Sequence, residues 1–314
     1  MSGTDISIVT PIFNEKDTIP RLIEEYNTYF QQNKDRSFEV IFVDDGSKDN
    51  SVETIMKLNA NFDYKIVKFS TNFGSHAALR AGFLEASGKC IVNIYADLQE
   101  PLDMILKMFA QINQGEDVVW AYRKVMQSSF SDRVISKLHA WCIRKYVHPD
   151  YPENGLDFVM FNQKIQKELN HNVESNSSFA LQIFGMGFKQ SFIEYTKDQR
   201  KQGTSKWTFS KKLKVLIDSF VSFSYLPIRM VSLVGISFFI VGICWALFIS
   251  VRKFMFNHLA TGWPALLSVL MIGFGVTNIG LGIIAEYLWR TFDVSRNRPV
   301  FIVDEIIDSK NHSN

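Results

Sequence analysis

A doubly wound α/β domain followed by a membrane hairpin is the fold class predicted by three features of the 314-residue sequence. Over roughly the first 200 residues, short apolar runs rich in β-branched and aromatic residues alternate with amphipathic stretches. Acidic or glycine-bearing turns stand directly after three of those runs. Beyond Pro227 the composition changes to two long uncharged segments. Strand–helix alternation of this kind builds a largely parallel sheet that binds ligands outside its strand C-termini.

In chain order, Met1 to Asp5 is polar, and the apolar run Ile6 to Phe13 is too short for the core of a signal peptide, so it reads as a buried strand. The predicted strands are Ile6–Ile12, Phe38–Val43, Tyr64–Phe69, Cys90–Tyr95 and Val118–Tyr122. Helical patterns fill the gaps at Asp17–Gln32, Asn50–Asn59, His76–Ala86 and Leu102–Gln114. Residues 206–228 alternate apolar positions with a lysine cluster, as in an amphipathic helix on a membrane face. Residues 231–251 contain no charge in 21 positions, and residues 263–285 none in 23. At 1.5 Å per residue, each run reaches across a hydrocarbon core of about 30 Å.

Gly273, Gly275, Gly280 and Gly282 suit close helix packing in the second span, taken as 263–287. Lys206, Lys211, Lys212, Lys214 and Arg229 precede the first span, and Arg290, Arg296 and Arg298 follow the second. The hinge between them carries only Arg252 and Lys253. This asymmetry puts both termini on the cytoplasmic side. The expected organisation is therefore a cytoplasmic domain over 1–205, the amphipathic helix, two spans within 229–290, and a cytoplasmic tail over 291–314.

Composition is 46% hydrophobic with 27 Phe, which excludes a disordered or disulfide-stapled chain. Three widely spaced cysteines fit a reducing compartment. The net charge of +2 gives no footprint for nucleic acid, yet it conceals two opposed patches. Lys197 to Lys214 holds seven basic residues and one acid, suited to a phosphate at a membrane surface, while acids gather at the strand-end turns.

Those turns are Thr10-Pro-Ile-Phe-Asn-Glu15, Val43-Asp-Asp-Gly-Ser-Lys-Asp-Asn-Ser51 and Tyr95-Ala-Asp-Leu-Gln-Glu-Pro101. The first two lack both glycine-rich phosphate cradles, so neither a dinucleotide fold nor a P-loop is supported. A diphosphate would then be neutralised by a hard divalent cation, Mg²⁺ or Mn²⁺, on oxygen ligands. Asp97 and Gln99, two residues apart at a strand end, are the candidate pair.

Taken together, the turns resemble the family 2 glycosyltransferases with a GT-A fold, and more narrowly the polyprenyl-phosphate glycosyltransferases. Asn72-Phe-Gly74 with Ala77 to Gly82, Asp97-Leu-Gln-Glu-Pro101, Arg200-Lys-Gln-Gly-Thr-Ser-Lys-Trp207 and Glu286-Tyr-Leu-Trp-Arg290 are similar to blocks of that group. The resemblance implies that Pro11, Glu15, Asp44 and Asp45, with Asn14, Asn72 and Gly74, line a nucleotide-sugar donor. It implies that Asp97 and Gln99 hold the metal, and that Arg123, Arg133, Arg200 and Lys206 meet a lipid phosphate. Asp157 would lie beside the reacting sugar as a catalytic residue, together with Asp97. The sequence departs from the group's pattern at Tyr95 and Val159, where an acid and an arginine are usual.

The implied activity is inverting transfer of one sugar to undecaprenyl (polyprenyl) phosphate for cell-surface glycan modification in a bacterium. UDP-glucose is the leading donor, with N-acetylglucosamine or mannose transfer as alternatives. The expected setting is the cytoplasmic (inner) membrane, as a homo-oligomer, dimer or tetramer, of short hairpins. A processive polysaccharide synthase would need more spans and a Q-x-x-R-W block; neither is found. A non-catalytic membrane-anchored subunit is the reading from another class.

Overall fold

The computed structural model describes residues 3–58, 60–123, 141, 143–145, 151–152, 155–171, 178–196, 262–295 and 299–311, with single positions between Leu233 and Met255. The chain divides into two compact units, Met1–Leu213 with Pro299–Asn314, and Lys214–Arg298. In the first unit the elements run β1 (Ile6–Ile12), α1 (Ile19–Gln32), β2 (Phe38–Asp44), α2 (Ser51–Lys57), β3 (Asp63–Phe69), α3 (Ser75–Glu85), β4 (Cys90–Asn93), α4 (Asp103–Asn113) and β5 (Val118–Arg123). They continue as β6 (Phe158–Asn162), α5 (Gln163–His171), α6 (Phe179–Gly185), β7 (Gln190–Tyr195) and, from the far end of the chain, β8 (Val303–Asp308).

The strands form one eight-stranded sheet in the order β7-β5-β6-β4-β1-β2-β3-β8. β1 pairs in parallel with β2 and β4, β2 with β3, and β5 with β7. β6 runs antiparallel between β4 and β5, and β8 antiparallel on the outer side of β3. The expected largely parallel sheet is therefore a mixed one. β6 comes back into the space between β4 and β5, and β8, within the segment expected as the tail, supplies an edge strand. The register with β8 shifts between Lys68 and Phe69, a bulge at the point where β3 ends.

Each face of the sheet is covered. α1 buries Ile19, Leu22, Ile23, Tyr26 and Tyr29, the spacing of one helical face, with Pro20 in its first turn. These residues pack with Ile6, Ile8, Ile12, Val40, Phe42 and Val92 and with Met104, Ile105 and Met108 of α4. On the opposite face α3 lies against β1 and β2, and it is buried almost all round, from Ala77 to Phe83. Gly82 is what permits that approach: a Cβ there would stand 2.2 Å from Val9 Cγ1.

Two buried charged side chains in this layer are paired. Arg80 Nη1 donates to the Leu169 carbonyl at 2.6 Å, and the Glu39 carboxylate accepts from the Ser87 amide at 2.7 Å and from the Ser7 hydroxyl.

In the second unit, α7 (Trp263–Ser295) is 33 residues long, about 50 Å at the standard rise. Its stretch Ile272–Trp289 is the one helix among the described residues long and apolar enough to cross a membrane. Phe274, Ile279, Leu281 and Leu288 on it are exposed. The described positions between Leu233 and Met255 are helical, and Leu233, Val241, Leu247 and Phe254 among them are exposed. The amphipathic helix expected over 206–228 lies outside the described residues.

Candidate active site

The sheet brings most of the expected site to one edge. β1 to β5 all point the same way, so the turns after β1, β2, β3 and β4 and the end of β5 open on that side. β6 runs against them, so its beginning lies on the same side. Pro11, Asn14, Glu15, Asp44, Asp45, Asn72, Gly74, Asp97, Gln99, Arg123 and Asp157 are consequently at a single edge of the sheet. Arg133, Arg200 and Lys206 lie outside the described residues.

The first two turns interlock through backbone amides. Asn14 N–H donates to Ser47 Oγ at 2.9 Å and Lys48 N–H to Asn14 Oδ1 at 2.9 Å. Glu15 N–H donates to Ser51 Oγ at 3.0 Å and Lys16 N–H to Asp49 Oδ2 at 3.1 Å. Asn14 holds a positive φ of 52°, tolerable for asparagine and kept by these contacts. The Glu15 carboxylate accepts the Thr18 hydroxyl at 3.0 Å, at the start of α1. Ser47, Asp49 and Ser51 were not among the expected site residues; their turn-forming composition was the available signal.

The second turn is clamped to the turn after β3. Asp45 accepts Phe73 N–H at 2.7 Å and Gly74 N–H at 2.9 Å, while Asn72 Nδ2 donates to the Asp45 carbonyl at 3.2 Å. Between the two segments Gly46 has φ +70°, and a Cβ on it would stand 2.6 Å from the Thr71 backbone carbonyl carbon. A side chain is excluded there on both counts. Asn72 and Gly74 thus hold Asp45 in place.

Asp44 and Asp45 are buried side by side. Burial pushes both carboxyls above the ordinary range, with their amide and hydroxyl donors pulling the other way. For Asp44 the sign is that of a group favoured neutral in the fold: its stabilising contribution is complete below the ordinary value of 3.8 and is lost as pH rises through the raised one. Asp44→Asn, which keeps an acceptor for Ser47 N–H, should therefore melt higher than the parent at neutral pH. Thermal melts of the detergent-solubilised chain from pH 4 to 8 check this; a gap that stays constant or shrinks with rising pH contradicts it.

The third turn follows a strand shorter than expected. β4 stops at Asn93, whose Oδ1 accepts Val159 N–H at 3.0 Å, so a side chain replaces the next ladder bond to β6. Past Ile94, whose N–H still donates to the Val9 carbonyl at 3.0 Å, residues 95–100 turn over the edge. Leu98 has φ 52°, a costly conformation for a leucine, and it stands between Asp97 and Gln99. Asp97 Oδ1 accepts Gln99 N–H at 3.4 Å, so the two side chains leave one tight turn.

No group of three or more His, Cys, Asp or Glu side chains suited to a metal occurs among the described residues. A carboxylate and an amide oxygen fit a hard cation that keeps waters and takes its remaining ligands from substrate phosphates. They do not fit a closed all-protein cage.

The fourth part is an ion pair. Arg123 Nε lies 2.9 Å from Asp157 Oδ2 and 3.0 Å from Oδ1, and its Nη2 donates to Oδ1 as well. The Asp157 side chain is 8% exposed and that of Arg123 31%, so the acid is sealed and the arginine is the more exposed partner. Asp157 holds the guanidinium firmly protonated, through its hydrogen bonds and then its charge.

Around the pair stand residues that sequence reasoning missed or passed over. Burial, and then the charges of Glu100, Asp157 and Asp97, push the Tyr95 phenol well above its usual range. Tyr195, at the end of β7, is shifted the same way by burial, Asp157 and Glu100, and burial takes Tyr151 up to about 12. Glu100 is buried one residue before Pro101. These phenols stay protonated and serve as neutral polar neighbours of the acids. Glu100 was legible as part of the third turn, whereas Tyr195 had no motif to mark it.

The description "Glycosyl transferase family 2" matches residues 7–196. An uncharacterized glycosyltransferase of Bacillus subtilis (strain 168), YkcC, is 32% identical over 95% of this chain and 93% of its own length. A prophage bactoprenol glucosyl transferase homolog of Escherichia coli (strain K12) is 30% identical over 96% of this chain and 99% of its own. An undecaprenyl-phosphate 4-deoxy-4-formamido-L-arabinose transferase of Pseudomonas syringae pv. syringae (strain B728a) is 28% identical over 97% and 91%.

Proposed function

The chain belongs to glycosyl transferase family 2 and is a glycosyltransferase, and on that premise we propose that it transfers one sugar from a nucleotide-sugar to polyprenyl phosphate at a membrane surface. The observation that carries this reading is the shared sheet edge. It joins a clamped acidic pair, a strained Asp97-Leu-Gln99 turn and an arginine paired to Asp157, in a chain that also bears a helix of membrane length. Relatives named for bactoprenol and undecaprenyl phosphate support the acceptor.

In the proposed reaction a phosphate oxygen of the lipid attacks the anomeric carbon in line. The bond to the nucleoside diphosphate breaks and configuration inverts. The acceptor is a monophosphate with a second pKa of about 6, already anionic at neutral pH, so a strong general base is unnecessary. Pro11, Asn14, Glu15, Asp44 and Asp45 would line the nucleoside. Asp97 and Gln99 would hold Mg²⁺ or Mn²⁺, which when bound supplies Lewis-acid neutralisation of the diphosphate.

Arg123 would meet the lipid phosphate, joined by Arg133, Arg200 and Lys206, arginine through its two-toothed fork. Asp157, sealed beneath, orients Arg123 and sits beside the sugar. UDP-glucose is the proposed donor, with UDP-N-acetylglucosamine and a mannose donor as alternatives. The proposed setting is the inner membrane, as a homo-oligomer with two spans, the catalytic domain facing the cytoplasm and the product feeding surface-glycan modification.

The test is a donor screen: membranes containing the chain are incubated with labelled UDP-glucose, UDP-N-acetylglucosamine and GDP-mannose, and the lipid is extracted. A labelled monosaccharide-lipid from UDP-glucose is the expected product. An insoluble polymer would indicate a processive synthase, and no transfer from any donor would indicate an inert subunit.

A further inference from the structure

The chain's far end is built into the donor side of this site. Phe69, the last residue of β3, is 2% exposed because aromatic rings cover it on two sides. The Phe301 ring stacks on it with centroids 5.2 Å apart and planes 10° from parallel. The Phe73 ring meets it edge-on at 5.7 Å and 86°. Beside this stack, Ser70 N–H donates to the Ile302 carbonyl at 3.2 Å. Then β8 zips along β3 from Val303 onward, opposite Phe69. Phe73 is the residue whose amide, with that of Gly74, holds the Asp45 carboxylate. One aromatic contact, one ring edge and one amide thus lead from Phe301 to Asp45.

We propose that Phe301 is a positioning residue for the nucleotide donor, fixing the 70–74 turn that holds Asp45. The inference rests on the functional reading above, in which Asp45 lines the nucleoside. The physical reason is that the turn's other anchors lie at Asp45 and Gly46, to which Asn72, Phe73 and Gly74 donate and against which Thr71 packs. Thr71 and Asn72 are exposed, Phe73 and Gly74 are half-buried, and the β3–β8 register shifts at Lys68/Phe69, with Phe69 the last paired residue, opposite Val303. Phe301 and the Ile302 carbonyl therefore bear on the turn where regular pairing ends. Removing the ring would leave Phe69 stacked on one side only, and the Phe73 amide would wander relative to Asp45 by the fractions of an ångström that a hydrogen bond registers.

The test uses the full-length chain in detergent with UDP and GDP as binding probes, followed by transfer kinetics with the donor that the parent uses. In Phe301→Ala the dissociation constant of the bound diphosphate and the KM for the nucleotide-sugar should rise roughly five- to tenfold, the scale of one aromatic pair with its buried area. The acceptor KM and kcat should stay within about twofold of the parent. Phe301→Tyr, which keeps the ring, should bind like the parent, and Phe301→Leu, which keeps volume and folding, should fall between.

Unchanged diphosphate binding in Phe301→Leu and Phe301→Ala overturns the proposal. So does a joint fall of kcat and both KM-dependent rates in step with a lower melting temperature, since that would mark Phe301 as a prop for the whole sheet edge. A parent chain that binds neither diphosphate overturns the functional reading as well, which separates the two failures.

Discussion

Sugar transfer by an Asp97→Ala variant is expected to fall by at least about a thousandfold, the scale of losing a group that stabilises developing charge in the transition state. The fold should barely notice. Asp97 stands in a turn beyond the end of β4, and its Oδ1 accepts a backbone N–H at 3.4 Å, a weak contact to lose. The melting temperature should therefore stay within a few degrees of the parent's. Gln99→Ala should show the same pattern at smaller amplitude, since an amide oxygen is a weaker ligand for a hard cation than a carboxylate. Excess EDTA should reproduce the loss in the parent, with Mn²⁺ or Mg²⁺ restoring it. Transfer by Asp97→Ala at near-parental rate would remove Asp97 from the site. Transfer indifferent to EDTA would remove the cation.

The second large effect falls on stability. Arg123→Ala leaves the Asp157 carboxylate sealed without its partner, which costs about 3–5 kcal/mol for a buried charge stripped of its pair. For a domain of this size that is a fall of roughly 10 °C in melting temperature. Arg123→Ala/Asp157→Ala should recover most of that loss because it removes the stranded charge, yet it should recover no transfer. Arg123→Lys should keep the fold and lose acceptor affinity, because an ammonium still neutralises Asp157 but cannot present a planar fork to a phosphate as well. The measurement is a thermal melt and a transfer assay on all four chains. A double variant as unstable as Arg123→Ala would show that the cost came from lost packing of the arginine stem.

Much of this site could be read before any coordinates because its parts are turns, and turns carry their chemistry in consecutive residues. Asp44-Asp-Gly46 and Asp97-Leu-Gln99 announce themselves. So do the strands buried on both faces, β1 and β2, whose apolar runs have no competing period. What escaped was long-range. Arg123 and Asp157 look like separate features 34 residues apart in sequence, and only the antiparallel return of β6 beside β5 makes them one ion pair. β7 begins Gln190-Ser and ends Glu194-Tyr, too polar for the apolar-run rule that identified the central strands. β8 reads Val-Asp-Glu-Ile-Ile-Asp, and its partner on β3 is some 240 residues earlier, so no local pattern could assign it to the sheet. The end of β4 at Asn93 was equally hidden, since the apolar run continues to Tyr95 and only the Asn93 side chain, bonding to Val159, says where the ladder stops.

The pairing of β8 with β3 also constrains how the chain can thread a bilayer. A polypeptide that leaves a folded sheet and later inserts a strand into the same sheet has made a closed excursion. Any membrane in its way has been traversed an even number of times, whatever the lengths of the segments involved. On the proposed reading, α7 is one traverse and the uncharged stretch 231–251 the other, which returns the chain to the side it left. A single engineered charge that expelled that stretch from the lipid would oblige either α7 to leave with it or β8 to abandon its edge.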